Sequence, residues 1–538
     1  MTDTAVAGAP SPAVPPTPPA AWRRLMFWVG LLYFSEGLPL GLFYDLFPVH
    51  MRQSGVSPSE IGLLSLLGLA WTVKFLWAPL VDAWRGHRRW MASANVGMAL
   101  SLITLAFHPE ALGQGATWPW AMLVAFTVLS ATNDIATDGY TIEILSKDQF
   151  GLANGLRIGL YRVGMLSAGM MLVVAGWTGS DGHPNWAAAY GLAAVVMLAN
   201  AALILNAPAQ PPRPARDAQA SSKEWAVLKQ QPIWLLALGL VLIGLLWPVL
   251  GPLLKLYGPA PIAAGDVAAT AAAAAGSAWQ DGLAWAVAHQ SAWWFKGAIP
   301  VSLMFAGASL MVVAGRSPQA KALAEGPAFG AWVGLLARPG MLAVLLFILL
   351  FKLGDAAMGF MVKPFWVDAG FTLAQIGLVS VNVGMGLSIA GGLVGGWYVD
   401  KAGIYKGLWV LGLAQALSNL GYAAAASLIP HAEPGQLALQ SQMLVYGASA
   451  IESFTGGLGT GAFMAFLMAM VSKERATTEY AILSSIFAFS RSVSGWAGGL
   501  GVEQMGYAAF FFLTFWLSFP AYALLPQVKR MLLRQGAR

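Results

Sequence analysis

The sequence predicts an all-α polytopic membrane protein. Three observations carry that prediction: the chain is 57% hydrophobic, only 10% of it is charged, and long apolar runs recur from Leu25 to Leu525. Many of those runs exceed the ~20 residues needed to cross a ~30 Å hydrocarbon core. A soluble globule of 538 residues could not cover itself with so little polar side chain, and the mean hydropathy of +0.64 agrees. The strand-length alternation of an outer-membrane barrel, about ten residues per strand, is missing.

Taken in order, residues 1–21 are a Pro/Ala-rich tail without periodicity, disordered or polyproline-like. Arg23 and Arg24 before an apolar run imitate a secretion signal, but Glu36 and Asp45 interrupt the run, which continues through Pro48 with no small-residue cleavage site. No processed leader is expected. Spans are predicted at 24–50, 59–82, 90–108, 118–145, 150–177, 186–206, 232–254, 293–315, 338–365, 373–399, 406–428, 442–470, 478–502 and 508–526, fourteen in all. They group into an N-terminal six-helix bundle (22–206), a linker (207–231), an extra helix pair with its external loop (232–315), a second linker (316–337), a C-terminal six-helix bundle (338–526) and a basic tail (527–538).

The formal charge of +6 is concentrated at the ends of apolar runs, a topology signal and not a nucleic-acid surface. Of 30 Lys and Arg, 21 fall in segments that are cytoplasmic if the N-terminus is inside, and only Arg52, Lys255 and Lys296 fall on the other side. Both termini are therefore expected in the cytoplasm, with the chain in a bacterial inner membrane.

The two halves repeat. The turn Pro79-Leu80-Val81-Asp82-Ala83-Trp84-Arg85-Gly86-His87-Arg88-Arg89 has a counterpart in Gly396-Trp397-Tyr398-Val399-Asp400-Lys401-Ala402-Gly403-Ile404-Tyr405-Lys406. One offset of 318 residues carries Asp82 onto Asp400 and Asp134 onto Glu452. Two six-helix repeats are the trace of a transporter whose halves rock about a central site. Asp82, Arg88, Arg89, Asp400 and Lys401 are the expected conformational latch, each acid accepting from helix amides and neighbouring bases.

This paired loop resembles the signature of the major facilitator superfamily. Longer strings resemble its AmpG-type muropeptide permeases: Glu36-Gly37-Leu38-Pro39-Leu40, Lys74-Phe75-Leu76-Trp77-Ala78-Pro79-Leu80 and Asn133-Asp134-Ile135-Ala136-Thr137-Asp138-Gly139-Tyr140 in the first half. The second half adds Lys352-Leu353-Gly354-Asp355-Ala356, Ser418-Asn419-Leu420-Gly421-Tyr422 and Gly456-Gly457-Leu458-Gly459-Thr460-Gly461-Ala462-Phe463. The resemblance covers nearly all of both halves and implies the major facilitator fold with an extra central helix pair. It also implies import of a bulky polar solute such as an anhydro-muropeptide. The chain departs from the family at Asn133, where members carry Gln, at Tyr140, where they carry Trp, and at Glu36 and Asp45, where they are neutral; all four positions are expected to face the cavity.

Apart from charges assigned to the ends of spans, the acids Glu36, Asp45, Asp134, Asp138, Glu143, Asp355 and Glu452 and the bases Lys74, Arg157, Arg162, Lys352, Lys363 and Arg491 lie within the predicted spans. Each would cost roughly 2.5–3.5 kcal/mol facing lipid at a helix centre, so they face one another or water. Asp134 and Asp138 lie one turn apart on one helix face, with Arg157 and Arg162 of the next span as partners. Together with Glu36, Asp355 and Glu452 they are the proton-coupling candidates. Arg162, Arg491, Asn133, Tyr140 and Lys352 are the substrate-binding candidates, a guanidinium being suited to bidentate capture of carboxylate or phosphate. Lys352 and Asp355, three residues apart, also suit a structural pair. Trp71 and Trp77 read as interfacial anchors before sugar platforms. Gly391/Gly395, Gly392/Gly396 and Gly457/Gly461 read as close-packing faces.

The chain has no cysteine, which removes disulfides, thiolate catalysis and Cys-ligated metals. No lysine is followed by Ser or Thr, so no Walker-type ATP site exists, and neither H-E-x-x-H nor G-x-S-x-G occurs. No catalytic residue, metal or cofactor is expected, and energy must come from a gradient or a partner; a potential supplies ~2.3 kcal/mol per charge per 100 mV, enough for accumulation. The expected function is proton-coupled import of a small-molecule substrate across the bilayer. The alternatives are a carrier of another large organic anion, such as an acyl-CoA-like solute, and, more remotely, a membrane-embedded enzyme or a non-transporting sensor.

Overall fold

The computed structural model describes residues 19–74, 77, 81, 86–113, 118–144, 150–178, 183–209, 294–314, 335, 338–429, 432–471 and 476–534, with scattered positions from 232 to 292. These residues are helical almost throughout. They form α1 (Arg23–Gln53), α2 (Pro58–Val73), α3 (His87–Phe107), α4 (Trp118–Ile144), α5 (Phe150–Trp177), α6 (Trp186–Leu205) and α7 (Ile299–Ala314). After these come α8 (Met341–Asp368), α9 (Leu373–Ala402), α10 (Ile404–Leu428), α11 (Leu439–Met470), α12 (Ala476–Leu517) and α13 (Leu525–Arg534). Among the described residues nine helices are long and apolar enough to cross a membrane. The tail, most of both linkers, Asp82, Arg85 and the side chains of Arg157 and Glu143 lie outside the described residues.

Local chemistry sets the boundaries. Ser57 caps α2, accepting from Glu60 N, with Pro58 at the first helical position. Thr372 and Gln375 form a reciprocal capping box that starts α9. The long run of α12 breaks at Gly506, whose φ of 76° only glycine adopts cheaply, and the break falls between the spans expected at 478–502 and 508–526.

The helices before and after the middle segment pack mainly among themselves: α1 on α5, α3 on α4 and α6, and, later, α9 and α10 on α11 and α8 on α12. The two groups meet along α2 with α12, α5 with the start of α9, and the end of α1 with α8. The first two seams are glycine-to-glycine. A Cβ on Gly62 would lie 3.0 Å from Gly499 Cα, and one on Gly377 would lie 2.3 Å from the carbonyl oxygen of Gly169. At the third, Arg52 Nε donates to Asp368 Oδ1 at 2.6 Å and the Tyr507 hydroxyl to Asp368 Oδ2 at 2.7 Å. Met304 of α7 packs with Leu66, Leu69 and Trp496, which sets the extra segment against the α2·α12 seam.

The expected close-packing faces divide. A Cβ on Gly391 would lie 2.0 Å from Phe454 O, on Gly395 2.6 Å from Leu458 O, on Gly457 2.2 Å from Ser388 O and on Gly461 2.8 Å from Gly392 O. Gly392 and Gly396 join the same contact through their backbones, with Gly392 N 2.9 Å from a Cβ on Gly457 and Gly396 N 3.1 Å from one on Gly461, but their own Cβ directions point away from it: among the described residues nothing lies within 4 Å of a Cβ on Gly396, and the nearest atom to one on Gly392 is 3.8 Å away. Trp71 meets Phe43 edge-on and Trp77 donates to Thr132 Oγ1 at 3.1 Å.

Candidate functional site: a charged cavity between the two helix groups

Two helices widen before they reach the centre. Leu42–Leu46 in α1 and Ile376–Val383 in α9 form π-type turns, which add a residue per turn and redirect side chains. The first presents Asp45 and the second Ser380, and both meet Lys363 of α8: Lys363 Nζ donates to Ser380 Oγ at 2.7 Å and to Ser380 O at 3.2 Å, and lies 3.6 Å from Asp45 Oδ1. This triad forms one wall of a cavity of about 520 Å³ between the groups, within the ~300–1,000 Å³ range of small-molecule sites.

Lys352 forms a second wall. It stands where α8 is interrupted between Phe351 and Leu353, is 3% exposed, and donates to Asp355 Oδ2 at 3.2 Å, Gln415 Oε1 at 3.0 Å and Gly456 O at 3.3 Å. The expected Lys352–Asp355 pair is therefore present. Glu452 of α11 completes this wall, accepting from Ser453 Oγ at 3.3 Å.

Arg162 of α5 and Arg491 of α12 enter the same cavity from opposite groups. Arg162 Nη1 contacts Met385 Sδ at 3.0 Å, and the Arg491 guanidinium stacks 4.5 Å from the centre of the Tyr44 ring. Among the described residues neither forms an ion pair with a carboxylate, and each lies within electrostatic reach of the other. Two cations facing one low-dielectric space repel, and an anion between them removes that cost.

The structure thus brings Arg162, Arg491, Lys352, Asp355 and Glu452 together and leaves the other candidates elsewhere. Asn133 and Tyr140 do not face the cavity: Asn95 Nδ2 donates to Asn133 Oδ1 at 3.0 Å and the Tyr140 hydroxyl to Pro208 O at 2.7 Å, both inside the first helix group. Glu36, expected at the cavity, is 4% exposed and turned toward α4. Of the two expected partners of Asp134 and Asp138, the side chain of Arg157 lies outside the described residues and Arg162 is turned elsewhere. Lys74 pairs with Asp134 and lies 3.8 Å from Asp138, while Arg162 points into the cavity. The reason is helical phase, because residue 162 sits on the face of α5 that looks across to α9. Of the latch residues, Arg88 donates to Ala207 O at 2.7 Å, Arg89 and Asp400 are exposed, and Lys401 lies 4.2 Å over the Trp397 ring of its own helix. Asp45 faces the cavity as expected of a departure from the family. Lys363 carries only the signal of a charge inside a span and Ser380 carries none, since π-type turns leave no pattern in composition.

Residues 29–280 match the family model described as Major Facilitator Superfamily. A putative transporter AmpG 4 of Rickettsia felis is 24% identical over 93% of this chain and 95% of its own length. An anhydromuropeptide permease of Escherichia coli is also 24% identical, over 92% of this chain and 78% of its own. Among solved structures, an auto-inhibited POT family peptide transporter superposes with a TM-score of 0.60 at 14% identity, covering 95% of this chain and 96% of that one. The nucleoside transporter NupG gives 0.55 at 13% identity, over 94% of this chain and 98% of that one.

Proposed function

We propose that the chain, which is similar to the major facilitator superfamily over residues 29–280 and to an anhydromuropeptide permease over most of its length, is a transporter of that kind and imports a bulky anionic solute, such as an anhydro-muropeptide, by proton coupling. The observation that carries the reading is the pair Arg162 and Arg491, facing one cavity from the two helix groups, neither in an ion pair with a carboxylate among the described residues, with Asp45 at longer electrostatic range of Arg491. A solute carboxylate held by both would bridge the groups. It would favour a closed, occupied state over an open one, as alternating access requires. Muropeptides carry carboxylates and an acyl-CoA-like solute carries phosphates, and a guanidinium binds either group.

In this reading twelve spans form two six-helix bundles, with a further pair between them. Both termini are cytoplasmic in a bacterial inner membrane, and the end bearing Arg52 and Asp368 faces outward. Asp355 and Glu452 are then the carboxylates nearest the solute, and Asp82, Arg88, Arg89, Asp400 and Lys401 form the cytoplasmic latch.

The test is uptake of labelled anhydro-muropeptide into liposomes holding the purified protein under an inward proton gradient. Accumulation should collapse with the gradient. Arg162→Gln and Arg491→Gln should each weaken apparent affinity by about 10- to 100-fold, the worth of a charge-assisted hydrogen bond. Wild-type vesicles that ignore the muropeptide but take up an acyl-CoA-like anion would move the substrate to the alternative.

A further inference from the structure

A second group of carboxylates lies apart from the cavity. Glu36 of α1 and Asp134 and Asp138 of α4 each bring a carboxylate oxygen within 4.8 Å of the other two. Lys74, just past the last turn of α2, pairs with Asp134 and lies 3.8 Å from Asp138, and the Tyr33 hydroxyl donates to Asp138 Oδ1 at 3.0 Å. From α5, packed along α1, Tyr161 lies within electrostatic reach of Asp134, and the side chain of Arg157 is outside the described residues. Glu36 differs from the other two acids. It is 4% exposed, and its Oε1 is buried with no hydrogen-bond partner among the described residues.

A buried carboxylate oxygen without a donor is costly, and two acids beside it add repulsion. A proton removes both penalties, because a protonated carboxyl becomes a donor to an adjacent carboxylate, as in paired acids that share one proton. We propose that Glu36 carries the coupling proton of the transport cycle, held against Asp134 and Asp138 at a site separate from the solute cavity. The inference rests on the gradient-coupled reading of the function and goes beyond it in locating the proton. None of Glu36, Lys74, Asp134 and Asp138 lines the cavity, so proton and solute do not compete for one set of ligands.

The link between the two sites is the α1·α5 contact. A Cβ on Gly37 would lie 1.9 Å from Tyr161 O, and one on Gly41 would lie 2.5 Å from Met165 O, so the two backbones touch. Loss of the proton leaves Glu36 charged beside two acids and drives α1 from α4. Because α5 must follow α1, Arg162, next in sequence to Tyr161, moves with it. Proton release is thereby tied to the grip on the solute anion.

The experiment uses the full chain in liposomes, with Glu36→Gln mimicking the protonated acid and Glu36→Asp as the conservative variant. Under 100 mV, wild type should accumulate solute up to about 50-fold per net positive charge that enters with it, protons and solute counted together. Glu36→Gln should still exchange labelled for unlabelled solute, which needs no net proton movement and shows that the protein is folded, but should fail to concentrate it. Glu36→Asp should recover part of the accumulation. A solute-independent readout separates this inference from the substrate reading: the infrared carbonyl band of a protonated, buried carboxylic acid should be present in wild type and absent in Glu36→Gln. Wild type that neither binds nor exchanges anhydro-muropeptide yet shows the band would overturn the substrate and leave Glu36 in place. Accumulation by Glu36→Gln equal to wild type, the same band in both proteins, or wild-type uptake that follows a Na⁺ gradient at fixed pH would overturn the proton assignment.

Discussion

Lys352 shows how a single side chain holds the cavity wall. Its ammonium satisfies Asp355, Gln415 and the carbonyl of Gly456, on α8, α10 and α11. Removing it strands the Asp355 carboxylate and two other acceptors in a site that gives it 3% exposure. Lys352→Met should therefore destabilise the protein by ~3 kcal/mol, and the double change Lys352→Met with Asp355→Leu should recover a good part of that, because no charge is then left alone. Thermal unfolding in detergent measures both. Equal destabilisation by the single and double variants would show that the pair is not the source of the effect. Lysine and aspartate three residues apart were recognisable in the sequence as partners. That Gln415 and Gly456 complete the site was not, because those contacts join residues 63 and 104 positions away.

Among helices, the spacing of glycines says which faces can touch, and the tertiary contact says which do. Gly391 and Gly396 belong to overlapping small-residue patterns on α9, but a Cβ on Gly391 would run into the backbone of Phe454 on α11 whereas a Cβ on Gly396 would point away from the crossing. Gly391→Val should force the α9·α11 crossing apart at a cost of about 1–3 kcal/mol or more, whereas Gly396→Val, with nothing within 4 Å, should be nearly silent. Comparing yields of folded protein and melting temperatures of the two variants tests this directly. Equal losses would mean that helix propensity, and not the crossing, governs the positions. The π-type turns are a feature of this scale as well. They place Asp45 and Ser380 on Lys363 although both flanking segments read as ordinary apolar helix.

For the whole molecule, the three seams between the helix groups gather at one end, with Gly62 on Gly499, Gly169 on Gly377 and Arg52 on Asp368. Backbone contacts of this kind open and close without unthreading side chains, which suits rocking of rigid halves. Ser59 N donates to Glu503 Oε2 at 3.2 Å across the first seam, and the chain contains no cysteine. Ser59→Cys with Glu503→Cys, joined by a short reducible thiol cross-linker, should arrest uptake, and reduction should restore it. Full uptake with the cross-link complete would mean that this seam stays shut throughout the cycle.

That the chain is helical and membrane-spanning was legible in the sequence, as was its resemblance to the major facilitator superfamily. Apolar runs, capping residues such as Ser57 and Thr372, and charges that no lipid would tolerate are local properties, readable residue by residue. The sequence also identified Arg162, Arg491, Lys352, Asp355 and Glu452 as charges needing a polar interior. Only the tertiary structure decided how those charges divide. Helical phase turned Arg162 to the cavity and Asn133 and Tyr140 away from it, packing gave Asp134 to Lys74, and Glu36 was enclosed beside α4 instead of facing the solute. Which carboxylate finds a base and which is left with a bare oxygen depends on contacts between residues about a hundred positions apart, and one-dimensional spacing does not encode them.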